Sequence, residues 1–340
     1  MPCLTQDANP DPFLSLPLNK EITKFKTHLA VAICVAFLPI TAQADAFETA
    51  ENAMQAFEDV FGVTTGKRRN HTKGYCITGT FQRVDDQILN YSNSPIFTEA
   101  ATFLGRVSHK GGKSNPPDDV FGDYGLAFEI ETASGDFHIM NMNTEDFFPV
   151  PTAEEFVALM QAKAQGSEAV AAFAQNSPEL RAHKAYHNAR DKTLRPYEGA
   201  IYNSINSFYL VDDADNRTAV RWSFVPAGQH DIVLETNPSF FFENIQENLS
   251  RGEVAWDMVI TIANPGDDIL NPASLWEGDH TQVTAARLVV ETALREEDST
   301  CGEMNFDPLI LRDGYEPTED PMLEVRSAVY AIGVSRRLSE

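Results

Sequence analysis

Short stretches in which apolar and polar residues alternate with period two recur along this 340-residue chain, each closed by Gly, Pro, Asn or Asp. They are Tyr75–Phe81, Phe103–Ser108, Gly125–Thr132, Phe137–Asn143, Ser207–Val211, Ala219–Val225, Asp231–Glu235, Val254–Ala263 and Gln282–Glu291. Alternation over such lengths, bounded by turn formers, is the pattern of half-buried strands. Helical spacing appears in four places. Asp45–Gly66 carries Ala53, Phe57, Val60 and Phe61, and Ala153–Ala174 follows Thr152 as a candidate N-cap. Phe240–Arg251 and Pro321–Arg337 complete the set, the last with Val325, Ala328, Val329, Ile332 and Val334 on one stripe. Many strands, with helices inserted mid-chain and at the end and no repeat, predict an α+β fold built around one antiparallel sheet or barrel.

Composition narrows the function classes. The chain is 43% hydrophobic and 22% charged, with 50 acids against 26 bases and a formal charge of −24. That is too apolar for a disordered chain, and no apolar run reaches the ~20 residues of a membrane span. The charge repels nucleic acid and anionic lipid. Residues 1–44 read as a targeting segment. Lys20, Lys24 and Lys26 precede the apolar run Leu29–Ala42, and Ala42-Gln43-Ala44 is a small-residue cleavage site. This predicts a secreted, periplasmic protein with a single domain over 45–340; the polar extension 1–19 has no account in this scheme. Loss of 1–44 removes Cys3 and Cys34. Cys76 and Cys301 then stand either as a disulfide or as two buried thiols.

Two local patterns carry candidate chemistry. Lys67–Gly74 is a basic knot containing Arg68-x-x-His71, and histidine is the usual general acid–base near neutrality. Arg326-x-x-x-Tyr330 places a guanidinium and a phenol on one helical face, where the cation favours phenolate. Each alone also fits an ordinary basic surface or a helix packing pair.

Together with their flanks they resemble the haem catalases. Asn70-His71-Thr72-Lys73-Gly74 with Gly79-Thr80-Phe81 is similar to the H-A-K-G…G-x-F motif of that family. Arg106-Val107-Ser108 resembles its R-F-S motif. Phe306-Asp307-Pro308…Gly314…Glu316…Asp320…Met322-Leu323…Arg326…Tyr330 resembles its proximal segment, and Tyr202…Phe208 with Ala219–Phe224 its later strand pair. The likeness covers roughly residues 55–337, and the short length points to the catalase-related peroxidases. The resemblance implies an eight-stranded antiparallel β-barrel with surrounding helices and a haem b (iron protoporphyrin IX) between the barrel and the C-terminal helix. It implies Tyr330 as the iron ligand, steadied by Arg326, and His71 over the opposite haem face, held by Ser108. It further implies Arg68, Arg106 and Arg337 against the haem carboxylates and Phe147 packed near the distal pocket. The implied reaction is reduction of hydrogen peroxide or an organic peroxide, His71 moving a proton between the two peroxide oxygens.

One block departs. Against the family's G-N-N-T-P-x-F-F this chain reads Asn141-Met142-Asn143-Thr144-Glu145-Asp146-Phe147-Phe148. Met142 stands at the distal Asn and Glu145 at the Pro. A regular strand puts Asn141 and Asn143 on one face and Met142 on the other, and the expectation is that the thioether faces the haem. Weak catalase turnover follows, with reduction by a small-molecule electron donor dominating and Met142 and Asn143 counted among the catalytic positions. The alternatives are an allene oxide synthase-like enzyme acting on fatty-acid hydroperoxides and a non-catalytic haem-binding protein. The expected assembly is a monomer or homodimer.

Overall fold

The alternating runs close into a ring. In a computed structural model that describes residues 39–235 and 237–340, with side chains from residue 45 onward, seven helices and ten strands follow one another. Helix α1 (Pro39–Phe61) precedes β1 (Gly74–Arg83), a short α2 (Pro95–Thr98), β2 (Ala101–His109), β3 (Tyr124–Thr132) and β4 (Phe137–Asn143). Three helices come next, α3 (Ala153–Gln165), α4 (Ser167–Asn176) and α5 (Pro178–Ala189). Then follow β5 (Tyr202–Asn203), β6 (Phe208–Val211), β7 (Arg217–Pro226), α6 (Phe241–Arg251), β8 (Val254–Ile262), β9 (Gln282–Leu294), β10 (Tyr315–Pro317) and α7 (Pro321–Ser339).

Neighbouring strands pair antiparallel in the order β1-β2-β3-β4-β5-β7-β8-β9, and β9 returns to β1, which makes a closed eight-stranded barrel. Strands β6 and β10 extend the sheet outward from β7. Register shifts opposite Thr78/Gly79 and Met258/Val259 insert extra residues into β9, and such bulges add the local bend that closure needs. Strand alternation sorts the side chains. Phe81, Val107, Leu126, Phe128, Met140, Met142, Phe224, Trp256 and Leu288 fill one buried cluster inside the barrel. Arg106, Ser108, Asn141 and Asn143, on the opposite face of β2 and β4, look outward onto a cavity bordered by α1, α3, α5 and α7. Residues 42–340 form one compact unit.

The structure revises some of the predicted elements. The helix expected over 153–174 breaks at Gly166, whose φ of +113° only glycine adopts readily, giving α3 and α4. Thr152 caps α3, its hydroxyl accepting from the Glu155 amide at 3.2 Å. The strand expected at Asp231–Glu235 does not form. Its backbone instead bonds one side chain, the Asn244 Oδ1 accepting from Val233 N at 2.7 Å and Leu234 N at 3.2 Å. Helix α5 carried no prediction. The targeting segment lies almost wholly outside the described residues; α1 begins before its cleavage site, and a cut after Ala44 leaves 45–61 of that helix.

Lys73, part of the basic knot, is spent on structure. Its ammonium donates to Asp118 Oδ1 at 2.5 Å, Pro116 O at 2.8 Å and Ser239 Oγ at 3.0 Å. Asp118 in turn accepts the amides of Phe240 and Phe241 and so fixes the start of α6.

Candidate active site

A cavity of about 500 Å³ lies against the outer barrel wall, with His71 on one side and Tyr330 of α7 among the residues lining it. His71 sits in the left-handed region at φ 59°, an unusual conformation for a side chain of its size. Contacts on both sides of it hold that backbone. The Asn70 Oδ1 accepts from His71 N at 3.0 Å and Gly111 N at 2.7 Å. Arg106 donates to His71 O at 2.7 Å and Thr72 O at 3.0 Å. The ring lies over Gly125, where an added Cβ would stand 2.7 Å from Nδ1. Only a residue without Cβ admits the imidazole at this distance.

Ser108 Oγ lies 3.1 Å from His71 Nδ1 and 3.4 Å from the Gly125 carbonyl. If the hydroxyl proton goes to that carbonyl, Nδ1 carries the ring proton and Nε2 keeps a free lone pair. Burial, then the nearby charges of Arg106 and Lys110, push the imidazole down to about 3. His71 is thus a neutral base throughout the physiological range.

Three arginines gather at one end of the cavity. Each nitrogen of the Arg106 guanidinium donates within the protein, its Nε to Glu296 at 2.5 Å in addition to the two carbonyls. The sequence reading gave Arg106 to a haem carboxylate; in the structure its guanidinium clamps the His71 peptide. Arg68 donates to Cys301 O at 3.2 Å and Met304 O at 2.8 Å, and Arg337 to Glu303 O at 3.3 Å and Met304 O at 3.1 Å. Neither forms an ion pair with a carboxylate among the described residues, although the charge of Glu296 acts on both, and the Nε of each is buried without a partner. Burial and the repulsion of Arg106 and Arg337 push Arg68 down to about 9. Buried cations with unused donors are costly unless an anion completes them. Cys76 of β1 and Cys301 form a disulfide, which fixes the carbonyl-bearing segment to the barrel.

Tyr330 is half-buried, and no described residue bonds its hydroxyl. Arg326, one turn earlier, does not reach back to it. Its guanidinium donates to the side-chain oxygens of Asn206 and Asn141. Asn206 passes on to Asp320 Oδ2 at 2.7 Å, and Asp320 caps α7 by accepting from Met322 N at 2.9 Å. Asn141 donates to Phe306 O at 2.8 Å.

Strand β4 is regular through Asn143, as expected, and its amide face turns to the cavity. Met142 is only 5% exposed and packs in the barrel core with its cross-strand partner Leu126, and both also border the cavity. Asn143, paired with Gly125 beside His71, brings an amide to the same wall, next to the position where the sequence reading expected a thioether alone. Phe147 packs on His183 at 5.3 Å and Tyr186 at 5.2 Å, and it is Phe148 that lines the cavity.

Glu145, at the Pro position of the family motif, has a large role here. It is buried, pairs with Lys110, and lies 3.3 Å from His183 Nε2. Burial opposes its ionisation, but Lys110 and His183 outweigh that and hold the carboxyl far below its usual range. His183, Lys184 and His187 of α5 line the same cavity and were missed in the sequence; the H-x-x-x-H spacing at 183 and 187 was the available signal.

The catalase family model matches residues 63–340. The chain belongs to the catalase family. It is 32% identical over 302 residues to a catalase-related peroxidase of Synechococcus elongatus, covering 85% of this chain and 88% of that protein. A catalase-related peroxidase of Mycolicibacterium paratuberculosis is 24% identical over 298 residues, covering 85% and 95%. Among solved structures, catalase A from Saccharomyces cerevisiae superposes with a TM-score of 0.67 at 17% identity. That match covers 81% of this chain, which spans 62% of the yeast chain. The family's barrel and the ring described above are the same architecture.

Proposed function

We infer that this catalase-family protein is a haem peroxidase that reduces a peroxide at the expense of an external electron donor. The observation that carries the reading is the pair of buried guanidinium groups, Arg68 and Arg337, with unpartnered Nε atoms at one end of a cavity that also holds His71 and an unbonded Tyr330 hydroxyl. The residues fit the group: two cations await carboxylates, a phenol awaits a metal, and a neutral imidazole stands nearby. Tyr330 would ligate the iron, and Arg68 and Arg337 would take the carboxylates. When bound, the haem supplies an iron that takes the peroxide and a porphyrin that stores oxidising equivalents. Haem b is the type the sequence resemblance implies.

The chain's own groups handle the protons. His71 Nε2 accepts one from the peroxide oxygen nearest it and returns it to the other oxygen, so that a water departs. Ser108 and Gly125 keep the ring from rotating during that exchange, and Arg106 keeps its backbone in place.

The names of the two bacterial relatives support peroxidase over catalase turnover. On mixing holoprotein with one equivalent of peroxide, the haem band should shift rapidly and return only when a reducing donor is added. His71→Ala should slow the shift about 10²–10⁴-fold. Vigorous oxygen release without donor would contradict the peroxidase reading.

The periplasm is the proposed location. The Cys76–Cys301 disulfide supports it, since such bonds persist in oxidising compartments. The basic and apolar pattern of 1–44 supports it as well.

A further inference from the structure

The chain carries 24 more negative than positive charges, yet the helical side of its cavity is basic. Lys110 follows β2, Lys163 ends α3, Lys184 lies on α5, and all three line the cavity. Two carboxylates also line that region, and both are already committed. Glu145 holds Lys110 and His183, and Asp123 accepts from Arg190 at 2.7 Å. Lys163 and Lys184 have no ion pair among the described residues. Lys110, Lys163 and Lys184 all keep exposed side chains on the cavity, and partial desolvation, then the repulsion of Lys110 and Lys184, lower the Lys163 ammonium. Next to them the wall is apolar, formed by the half-buried Phe148, Phe156 and Val170.

We propose that Lys163 and Lys184 bind the carboxylate of an organic substrate whose apolar body lies along Phe148, Phe156 and Val170 in the cavity that also holds His71. This deepens the peroxidase reading and rests on it for the fate of the molecule bound. Two unpaired ammonium groups beside an apolar wall select an amphiphilic monoanion over a neutral molecule of the same shape. Such a carboxylate could belong to a long-chain peroxide or to an aromatic donor, and the two differ in how much of the wall they cover.

The test is calorimetric binding of laurate, methyl laurate and 4-hydroxybenzoate to holoprotein, and to the double variant Lys163→Glu, Lys184→Glu. At low salt at least one carboxylate should bind about tenfold more tightly than methyl laurate, and the double variant should lose about tenfold of that affinity. Laurate binding assigns the site to a long-chain acid; 4-hydroxybenzoate binding alone assigns it to an aromatic donor. Equal binding of ester and acid, no carboxylate binding, or no effect of the charge reversal would overturn the proposal. The haem absorption of each sample reads separately: laurate binding without haem uptake would remove the peroxidase reading and leave this site standing.

Discussion

At the scale of single residues, His71 shows how a base is fixed in a conformation its side chain disfavours. Asn70, Arg106 and Ser108 each hold one part of it, and Gly125 leaves the space the ring occupies. Gly125→Ala puts a methyl 2.7 Å from the imidazole and should displace it, since the strand backbone cannot move without breaking its pairs with Ser108 and Asn143. The expected outcome is a loss of about 10²-fold in the rate of reaction with peroxide while far-UV circular dichroism is retained. Met142→Asn tests the orientation of β4. Its amide would be buried among Leu126 and other apolar side chains without a partner, at a cost of about 1–3 kcal/mol read by urea unfolding. Oxygen release should not rise; a clear rise would show that position 142 reaches the peroxide after all.

At the scale of elements, the parts legible in the sequence are those whose partners are close in the chain. Arg68 and His71 lie three residues apart on the segment that enters the cavity, and Thr152 caps the helix that follows it. The contacts that the sequence hides come from distant neighbours. Arg106 looks free for a ligand until Glu296, 190 residues later, is seen beside it. The alternation at 231–235 reads as a strand because the sequence does not show that Asn244 supplies its hydrogen bonds. The same α6 contacts make a pH prediction. Glu198 is wholly buried and accepts from Asn244 at 2.9 Å and Asn248 at 2.5 Å, while burial raises its carboxyl to about 7. The folded state then keeps a proton that the unfolded state releases at the ordinary carboxyl value. Stability should fall as pH rises from about 4.5 to about 7 and stay lower above that. Glu198→Gln cannot ionise. Its stability relative to the parent should increase by on the order of 2 kcal/mol between about pH 5 and pH 8. A difference independent of pH would show that Glu198 is ionised in the folded protein.

At the scale of the whole molecule, the barrel keeps its apolar interior closed and turns a polar outer wall toward helices from both ends of the chain. That wall and α7 hold between them the groups proposed to bind the haem, and the disulfide and the Arg326–Asn206–Asp320 chain tie the surrounding segments to them. The account depends on Tyr330 being the residue that bonds the metal. The direct measurement is a haemin titration followed by visible absorption, for the parent and for Tyr330→Phe. The parent should take up one equivalent and show the bands of a ferric tyrosinate, and the variant should lose those bands while its circular dichroism is unchanged. Identical spectra for the two proteins, or a parent that takes up no haemin, would contradict the account.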